Sequence, residues 1–291
     1  MLHFIVNPHS GGNKVNNAKE KLERVKSFLD ERKVPYKIHI TQYKWHAKEI
    51  TESITLKGNA EIIAMGGDGT LHEILNGFKD FDTCSLGIIP SGTGNDFATG
   101  IGLTESVEDC LNIILKNQPK YTDFLQLPSV RCINVAGMGL DVEVLKRYER
   151  LKKKTKAAYG RCLLKTLLTY KCKEFKIKIN QKIEKFRSYI VAVANGIMFG
   201  GGLKVCPAAC QYDGQFNLVN IKSMNKFRLI KALLMLKKGT ILNHPNVNHL
   251  TSDEIVVETN NPEVINCDGE LYSGVPFEVK LIKNKLKFFR P

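Results

Sequence analysis

The sequence predicts an α/β N-terminal domain, a parallel sheet with helices on both faces, followed by a mainly antiparallel, β-sandwich-like C-terminal domain. Three observations carry this prediction. Strand-like and helix-like stretches alternate through the first part of the chain, which implies a parallel sheet covered on both sides. From about Tyr121 strand follows strand, many with turn or loop residues between them. Glycine-rich loops follow the first, third and fourth predicted strands. The boundary falls near Thr122, giving domains 1–122 and 123–291.

The elements follow in order. "LHFIVN" is apolar and β-branched, a first strand. "NNAKEKLERVKSFLDERK" places Leu22, Val25, Phe28 and Leu29 on one helical face. "PYKIHITQ" is a second strand, closed by Thr41. "WHAKEITESITLKG" is a helix ended by Gly58, where a left-handed cap is expected. "EIIAMGG" is a third strand, "TLHEILNGF" a helix, "SLGIIPSG" a fourth strand and "SVEDCLNIILKNQ" a helix. Beyond the boundary, "KYTDFLQL", "RCINVAGMGL", "EFKIKINQK", "FRSYIVAVANG", "GQFNLVNIK", "DEIVVET", "EVINCDGE" and "PFEVKLIK" read as strands. Two helical stretches interrupt them, one from Asp141 to Tyr170 and one at "NKFRLIKALLMLKKGT".

The 291 residues suffice for one large domain or two medium ones. No apolar run reaches the ~18 residues of a membrane span, and "MLHFIVNPHSGG" lacks the regions of a signal peptide. The expected location is cytoplasmic. The eight cysteines form no CxxC pair, and "CPAAC" (Cys206 to Cys210) has an unsuitable spacing for a common zinc knuckle, so reduced, mostly buried thiols are expected. The formal net charge of +14 favours anionic partners without choosing among nucleic acid, lipid headgroups and nucleotide phosphates. Basic density peaks at "KRYERLKKKTK" and "KLIKNKLKFFR"; either run serves equally as a solvated face. No zinc-finger signature or RNP-type aromatic motif is present, which argues against nucleic acid.

The chemistry is carried by the loops. In a parallel sheet, ligands bind at the carboxyl ends of strands. There a glycine lets the backbone approach a ligand, and the next helix offers unpaired N–H groups that suit phosphate. "GGDGT" (Gly66 to Thr70) has this form but adds an aspartate, which repels phosphate. Asp68 makes sense if it works through Mg²⁺, or if it fixes the loop by accepting N–H bonds. "NPHSGG" (Asn7 to Gly12) and "PSGTGNDFA" (Pro90 to Ala98) should converge with it on one sheet edge. No P-loop and no clean GxGxxG are present. Late in the chain, "CDGE" sets two carboxylates across one glycine, Asp268 and Glu270. One could hold Mg²⁺ while the other accepts a proton from an alcohol. The helices "AAYGRCLLKTLLTYK" and "RLIKALLMLKK" combine leucine stripes with lysines, as core-packing helices or as a surface lying against a membrane. Trp45 and His46 are local packing or adenine-side residues.

"NPHSG", "GGDGTLHEILNG", "IPSGTGNDFA", "NGIMFGGGLKVCPAACQYDGQFNL" and "CDGE", in this order, resemble the diacylglycerol kinase catalytic-domain family, the bacterial lipid kinases related to sphingosine and ceramide kinases. "GGDGT" alone is shared with NAD kinases; the later motifs separate the lipid kinases. The resemblance covers nearly the whole chain and implies an active site in the interdomain cleft. It implies that ATP contacts Asn7, Pro8, His9, Ser10, Gly11, Thr41, Gly66, Gly67, Asp68, Gly69, Thr70, Leu71, His72 and Thr93. Asp68 would order the triphosphate and its Mg²⁺. Glu270 matches the proton acceptor, with Asp268 in the same catalytic pair. Asp213 matches a structural metal ligand, completed by the carbonyls of Cys210 and Gln215. Asp123 and Lys165 match two further cleft positions more loosely. Two departures stand out. His72 replaces an Asn common in bacterial members, at what is expected to be a helix-surface position. Gly12 stands where some members carry a lysine, which Lys14 could replace.

The expected activity is ATP-dependent phosphorylation of a membrane-lipid hydroxyl, with diacylglycerol first in line to give phosphatidic acid. The alternatives are a kinase for another alcohol (a sphingoid base, a polyprenol, phosphatidylglycerol or NAD) and a non-catalytic, membrane-associated nucleotide-binding regulator. The expected partners are ATP, Mg²⁺ and a lipid substrate at the inner membrane face; a homodimer is left open.

Overall fold

The computed structural model describes residues 1–11, 15–152, 155–179, 182–259 and 264–291. Gly12 and Lys14 lie outside these described residues. The chain divides into two compact units, Met1–Thr122 with Asn284–Pro291, and Asp123–Lys283.

In the first unit the order is β1 (Leu2–Val6), α1 (Val15–Glu31), β2 (Tyr36–Ile40), α2 (His46–Thr55), β3 (Glu61–Gly66), α3 (Asp68–Gly77), β4 (Ser85–Pro90), α4 (Asp96–Gly100) and α5 (Val107–Lys116). Strands β1 to β4 pair in parallel: β2 with β1, β1 with β3, β3 with β4. A parallel sheet needs both faces covered, and β3 and β4 are buried along nearly their whole length. Ile5, Ile62, Ile63 and Met65 are fully enclosed. The edge strand β2 has half-buried and exposed positions and no fully buried one. On the other side of β4, Lys287 and Phe288 pair in parallel with Ser85 and Leu86. Helix α2 stops at Thr55, and Gly58 takes the expected left-handed conformation, φ 70°. The five-residue helix α4 follows "PSGTGN" directly; the sequence reading did not separate it from the loop.

The second unit is antiparallel and β-rich. It comprises β5 (Lys120–Gln126, beginning in the first unit), β6 (Arg131–Cys132), β7 (Val135–Gly139), α6 (Leu140–Glu149), α7 (Lys156–Thr169), β8 (Lys173–Ile179), β9 (Lys182–Ala194), β10 (Phe216–Lys222), α8 (Lys226–Lys238), β11 (Val247–Ser252), β12 (Glu254–Thr259), β13 (Val264–Cys267), β14 (Glu270–Ser273) and β15 (Phe277–Phe288, ending in the first unit). The long strand β9 pairs with β7, β8 and β10. Its side chains alternate between two cores, as a period of two requires. Val191 and Val193 join Phe175, Ile177, Phe216 and Ile255 in an all-strand cluster. Ala192 and Ala194 belong to a second cluster that the helices α6, α7 and α8 cover with Val144, Leu163 and Leu229. Strands β11 and β14 are additions to the sequence reading, and the Asp141–Tyr170 stretch resolves into two helices. No helix among the described residues is long and apolar enough to cross a membrane.

Candidate active site

The parallel register of β1, β3 and β4 brings their carboxyl ends to one edge, and the three glycine loops meet there. Asn7 N–H donates to the Met65 carbonyl (3.0 Å), Ser91 N–H to the Gly66 carbonyl (2.8 Å) and Thr41 N–H to the Val6 carbonyl (2.9 Å). The Asn7 side chain donates to Thr70 Oγ1 (3.2 Å) and accepts the N–H of His9 (3.0 Å).

Two glycines are required by contact. A Cβ on Gly92 would come 2.5 Å from Gly67 Cα, and one on Gly66 would come 2.3 Å from Thr70 Oγ1. No side-chain cap closes the N-terminus of α3 among the described residues. Its first amides therefore point, with the positive end of the helix dipole, into the loop cluster. Ser10 Oγ, in the first loop, is buried with no hydrogen-bond partner among the described residues. A buried hydroxyl left in that state is a donor awaiting an acceptor.

Asp68 opens α3 and reaches the third loop. Its Oδ2 accepts the N–H of Asp96 (3.0 Å) and its Oδ1 that of Phe97 (3.1 Å). The carboxylate thus caps α4. Of the two readings the sequence left open for Asp68, loop fixing is realised in these bonds. Asn95, in left-handed conformation (φ 57°), accepts from Gly92 N–H (2.9 Å) and donates to the Gly92 carbonyl (3.1 Å). Lys21 of α1 is buried and donates to the Pro90 carbonyl (2.6 Å). Thr93 and His9 stand exposed on these loops. His72 corrects the expectation of a surface position: it is fully buried, with its ring 5.8 Å from that of Trp45. His46 Nδ1 accepts the N–H of Gln42 (3.0 Å), so its ring is tied to the loop after β2.

In the second unit, "CDGE" forms the turn between β13 and β14. Asp268 and Gly269 both take positive φ, 53° and 92°. Asp268 Oδ1 accepts from Asn134 N–H (2.9 Å), Val135 N–H (3.3 Å) and the Cys132 thiol (3.0 Å), and Oδ2 from Ile133 N–H (2.9 Å). Burial and the neighbouring Cys267 and Asp268 push the Cys132 thiol well up, so it is a proton-bearing donor. Asp268 is therefore held by the β6–β7 segment. Glu270, half-buried, opens β14 two residues on.

Asp123 is fully buried and accepts Gly214 N–H on Oδ2 (2.9 Å), while its own N–H donates to the Gln211 carbonyl (2.7 Å). It thereby anchors the "CQYDGQ" turn. Within that turn Asp213 is exposed and accepts Gln215 N–H (3.0 Å). A carboxylate with the carbonyls of Cys210 and Gln215 is an all-oxygen donor set of the kind hard cations take. Lys165 lies exposed on α7. The sequence reading missed Asp141 of α6. It is buried, accepts from Asn266 Nδ2 (3.0 Å), and burial pushes its carboxyl up to about 6. Asp141 borders an apolar pocket of about 30 Å³ lined by Val144, Tyr159, Leu163, Phe199 and Leu229, among others. Lys21 and Asp141 carried no local signal, whereas Asn95 and Asp96 were inside a quoted motif.

Comparison with known proteins agrees with this architecture. Residues 1–127 match the family described as Diacylglycerol kinase catalytic domain, and residues 134–290 the family described as YegS C-terminal NAD kinase beta sandwich-like domain. A Staphylococcus carnosus protein named "Putative lipid kinase" is 30% identical over 77% of this chain and 74% of its own. "Probable lipid kinase YegS" of Shigella flexneri is 27% identical over 89% of this chain and 88% of its own. Among solved structures, one of a "putative diacylglycerol kinase" from Bacillus anthracis superposes with TM-score 0.85 at 24% identity, covering 100% of this chain and 95% of that one. An ATP-bound NAD kinase from Archaeoglobus fulgidus shares the fold at TM-score 0.54 and 15% identity, covering 100% and 94%. Matched through both of its units, the chain belongs to the diacylglycerol kinase and lipid kinase family.

Proposed function

We propose that this kinase transfers the γ-phosphoryl group of ATP to the primary hydroxyl of diacylglycerol, forming phosphatidic acid. The observation that carries the nucleotide half is the meeting of three loops, joined by the Asn7–Met65 and Ser91–Gly66 bonds and by the close approach of Gly67 and Gly92, at the N-terminus of α3. The diacylglycerol half is supported by the relatives' names.

In this reading residues 1–122 bind the nucleotide and 123–291 serve the lipid. Asn7 to Gly11, Thr41, Gly66 to His72 and Thr93 hold ATP. Since His72 is enclosed, its contribution is through packing with Trp45. The amides that open α3 receive phosphate oxygens, and Asp68 keeps the Gly92 loop in register with them. Mg²⁺, arriving with the triphosphate, supplies charge neutralisation to the leaving phosphates. Glu270 takes the proton of the lipid hydroxyl as that oxygen bonds to the γ-phosphorus. The bond from phosphorus to the β–γ bridging oxygen breaks, and ADP departs with the electron pair. Asp268, committed to backbone amides, is a positioning residue that fixes the turn carrying Glu270. Asp213, with the Cys210 and Gln215 carbonyls, would hold a structural cation on the turn that Asp123 anchors.

The test is incubation with labelled ATP, Mg²⁺ and diacylglycerol in mixed micelles, beside a panel of sphingoid base, polyprenol, phosphatidylglycerol and NAD. Labelled phosphatidic acid is expected. Label in another member of the panel would reassign the acceptor, and no label in any would overturn the enzyme reading.

A further inference from the structure

Helices α7 and α8 are tied together and share one buried side. The Lys226 ammonium, at the start of α8, donates to the carbonyls of Leu167 (2.8 Å) and Tyr170 (3.2 Å) at the end of α7. Leu163 and Leu167 from one helix and Leu229, Ala232 and Leu236 from the other face the same apolar core. Core packing accounts for those residues. It leaves the outer faces unexplained. Phe227 is 87% exposed, Leu168 56%, Leu234 54%, Leu164 51% and Ile230 41%. Scattered apolar residues on a surface are ordinary, but Leu164 and Leu168 stand four apart on α7, and Phe227, Ile230 and Leu234 recur at helical spacing on α8, so each helix presents an apolar outer stripe.

The charge on these two helices has one sign. The α7 sequence KAAYGRCLLKTLLT and the α8 sequence KFRLIKALLMLKK contain no acidic residue. Arg161 and Lys165 on α7 and Arg228, Lys231, Lys237 and Lys238 on α8 are all exposed. Apolar side chains rimmed by cations match the surface of an anionic bilayer, with acyl chains below and headgroup phosphates around. A second copy of the chain fits poorly, since a two-fold contact would set one basic rim against another. Nucleic acid would satisfy the cations and leave Phe227 without a partner.

We propose that the outer faces of α7 and α8 are a docking surface for an anionic phospholipid bilayer, with Phe227, Ile230, Leu234, Leu164 and Leu168 entering it. The proposal deepens the lipid-kinase reading, on which its purpose rests, and its test needs neither ATP nor turnover. Vesicles of phosphatidylcholine, with and without phosphatidylglycerol, are co-sedimented with the full chain. Binding is expected to the anionic vesicles, weakening with salt. It should fall at least tenfold in F227S/L234S. Each basic residue near the surface contributes roughly fivefold in partitioning, so R228E/K231E should lose more. Thermal melting should be unchanged in both variants.

The chain has one tryptophan, Trp45, in the first unit. A Phe227→Trp variant should therefore gain emission that brominated lipid chains quench, against the wild-type background. Equal binding to neutral and anionic vesicles, retained binding by F227S/L234S, or unquenched Trp at 227 would each overturn the proposal. So would a dimer that sheds its apolar contact in F227S/L234S and ignores vesicles. Failure of the lipid-kinase reading would show separately, as vesicle binding without phosphorylation of any acceptor.

Discussion

Asp68 and Asp96, two acids on different loops, are joined by a backbone N–H that Asp96 donates to the Asp68 carboxylate at 3.0 Å. A second amide, from Phe97, reaches the other oxygen. Asp68→Ala leaves both donors of α4 without an acceptor, a loss of about 2 kcal/mol. The variant should melt lower and lose turnover together. Asp68→Asn keeps one acceptor oxygen and turns an NH₂ group toward an N–H. It should recover part of the stability and little activity. Paired denaturation and kinase assays would check this, and a fully active Asp68→Ala would remove the residue from the mechanism.

The "DGE" acids should separate cleanly. Asp268 accepts three backbone amides, whereas Glu270 opens β14 half-buried. Glu270→Gln is expected to fold normally and to lower kcat by about 100-fold or more with KM for ATP little changed. Asp268→Ala should destabilise by more than about 2 kcal/mol through its stranded amides. Chemical denaturation beside steady-state kinetics distinguishes the two.

Gly92 and Gly77 form a second contrasting pair. A Cβ at Gly92 would strike Gly67 Cα at 2.5 Å, and one at Gly77 would strike the Lys48 carbonyl at 2.2 Å. Both alanine variants should lose stability. Only Gly92→Ala disturbs the loops proposed for ATP, so only it should raise the KM for ATP, by about tenfold or more. A nucleotide titration of the two variants at a temperature where both are folded gives the answer.

Asp141 predicts a pH effect. Burial pushes its carboxyl up from the ordinary range to about 6. A folded-state value above the unfolded one means that the protonated form is favoured on folding. The associated stability is full below about pH 4 and is lost as pH rises through about 6. The linkage is on the order of 2–3 kcal/mol. Asp141→Asn should therefore be more stable than wild type at pH 7.5 and close to it at pH 4. Denaturation midpoints across that range measure it. An identical pH profile in both proteins would refute the assignment.

Much of this was legible in the chain. The apolar runs of β1, β3 and β4 are doubly buried strands, and no other element type suits their length and glycine-rich ends. The convergence of Asn7, Gly66 and Ser91 followed from the parallel topology alone. What a reading of residue types missed was long-range. His72 lies on a short helix whose polar positions suggest a surface, but packing near Trp45 encloses it. Lys21 and Asp141 sit in helices of ordinary pattern, and only tertiary packing buries them. The two-residue span between Asp268 and Glu270 gave no sign that one would be spent on amides and the other not.

The last strand has a consequence for how the molecule is made. Lys287 and Phe288 pair with β4, the last of four parallel strands that were all synthesised before the second unit began. On the ribosome, the first unit emerges with β4 unpaired on that side, and Phe97 lacks the Phe288 ring that later sits 5.3 Å away. Its folding is thus a high-contact-order event that waits for Lys287 and Phe288 to be synthesised. Chains truncated before Asn284 should be captured by chaperones through an open β edge.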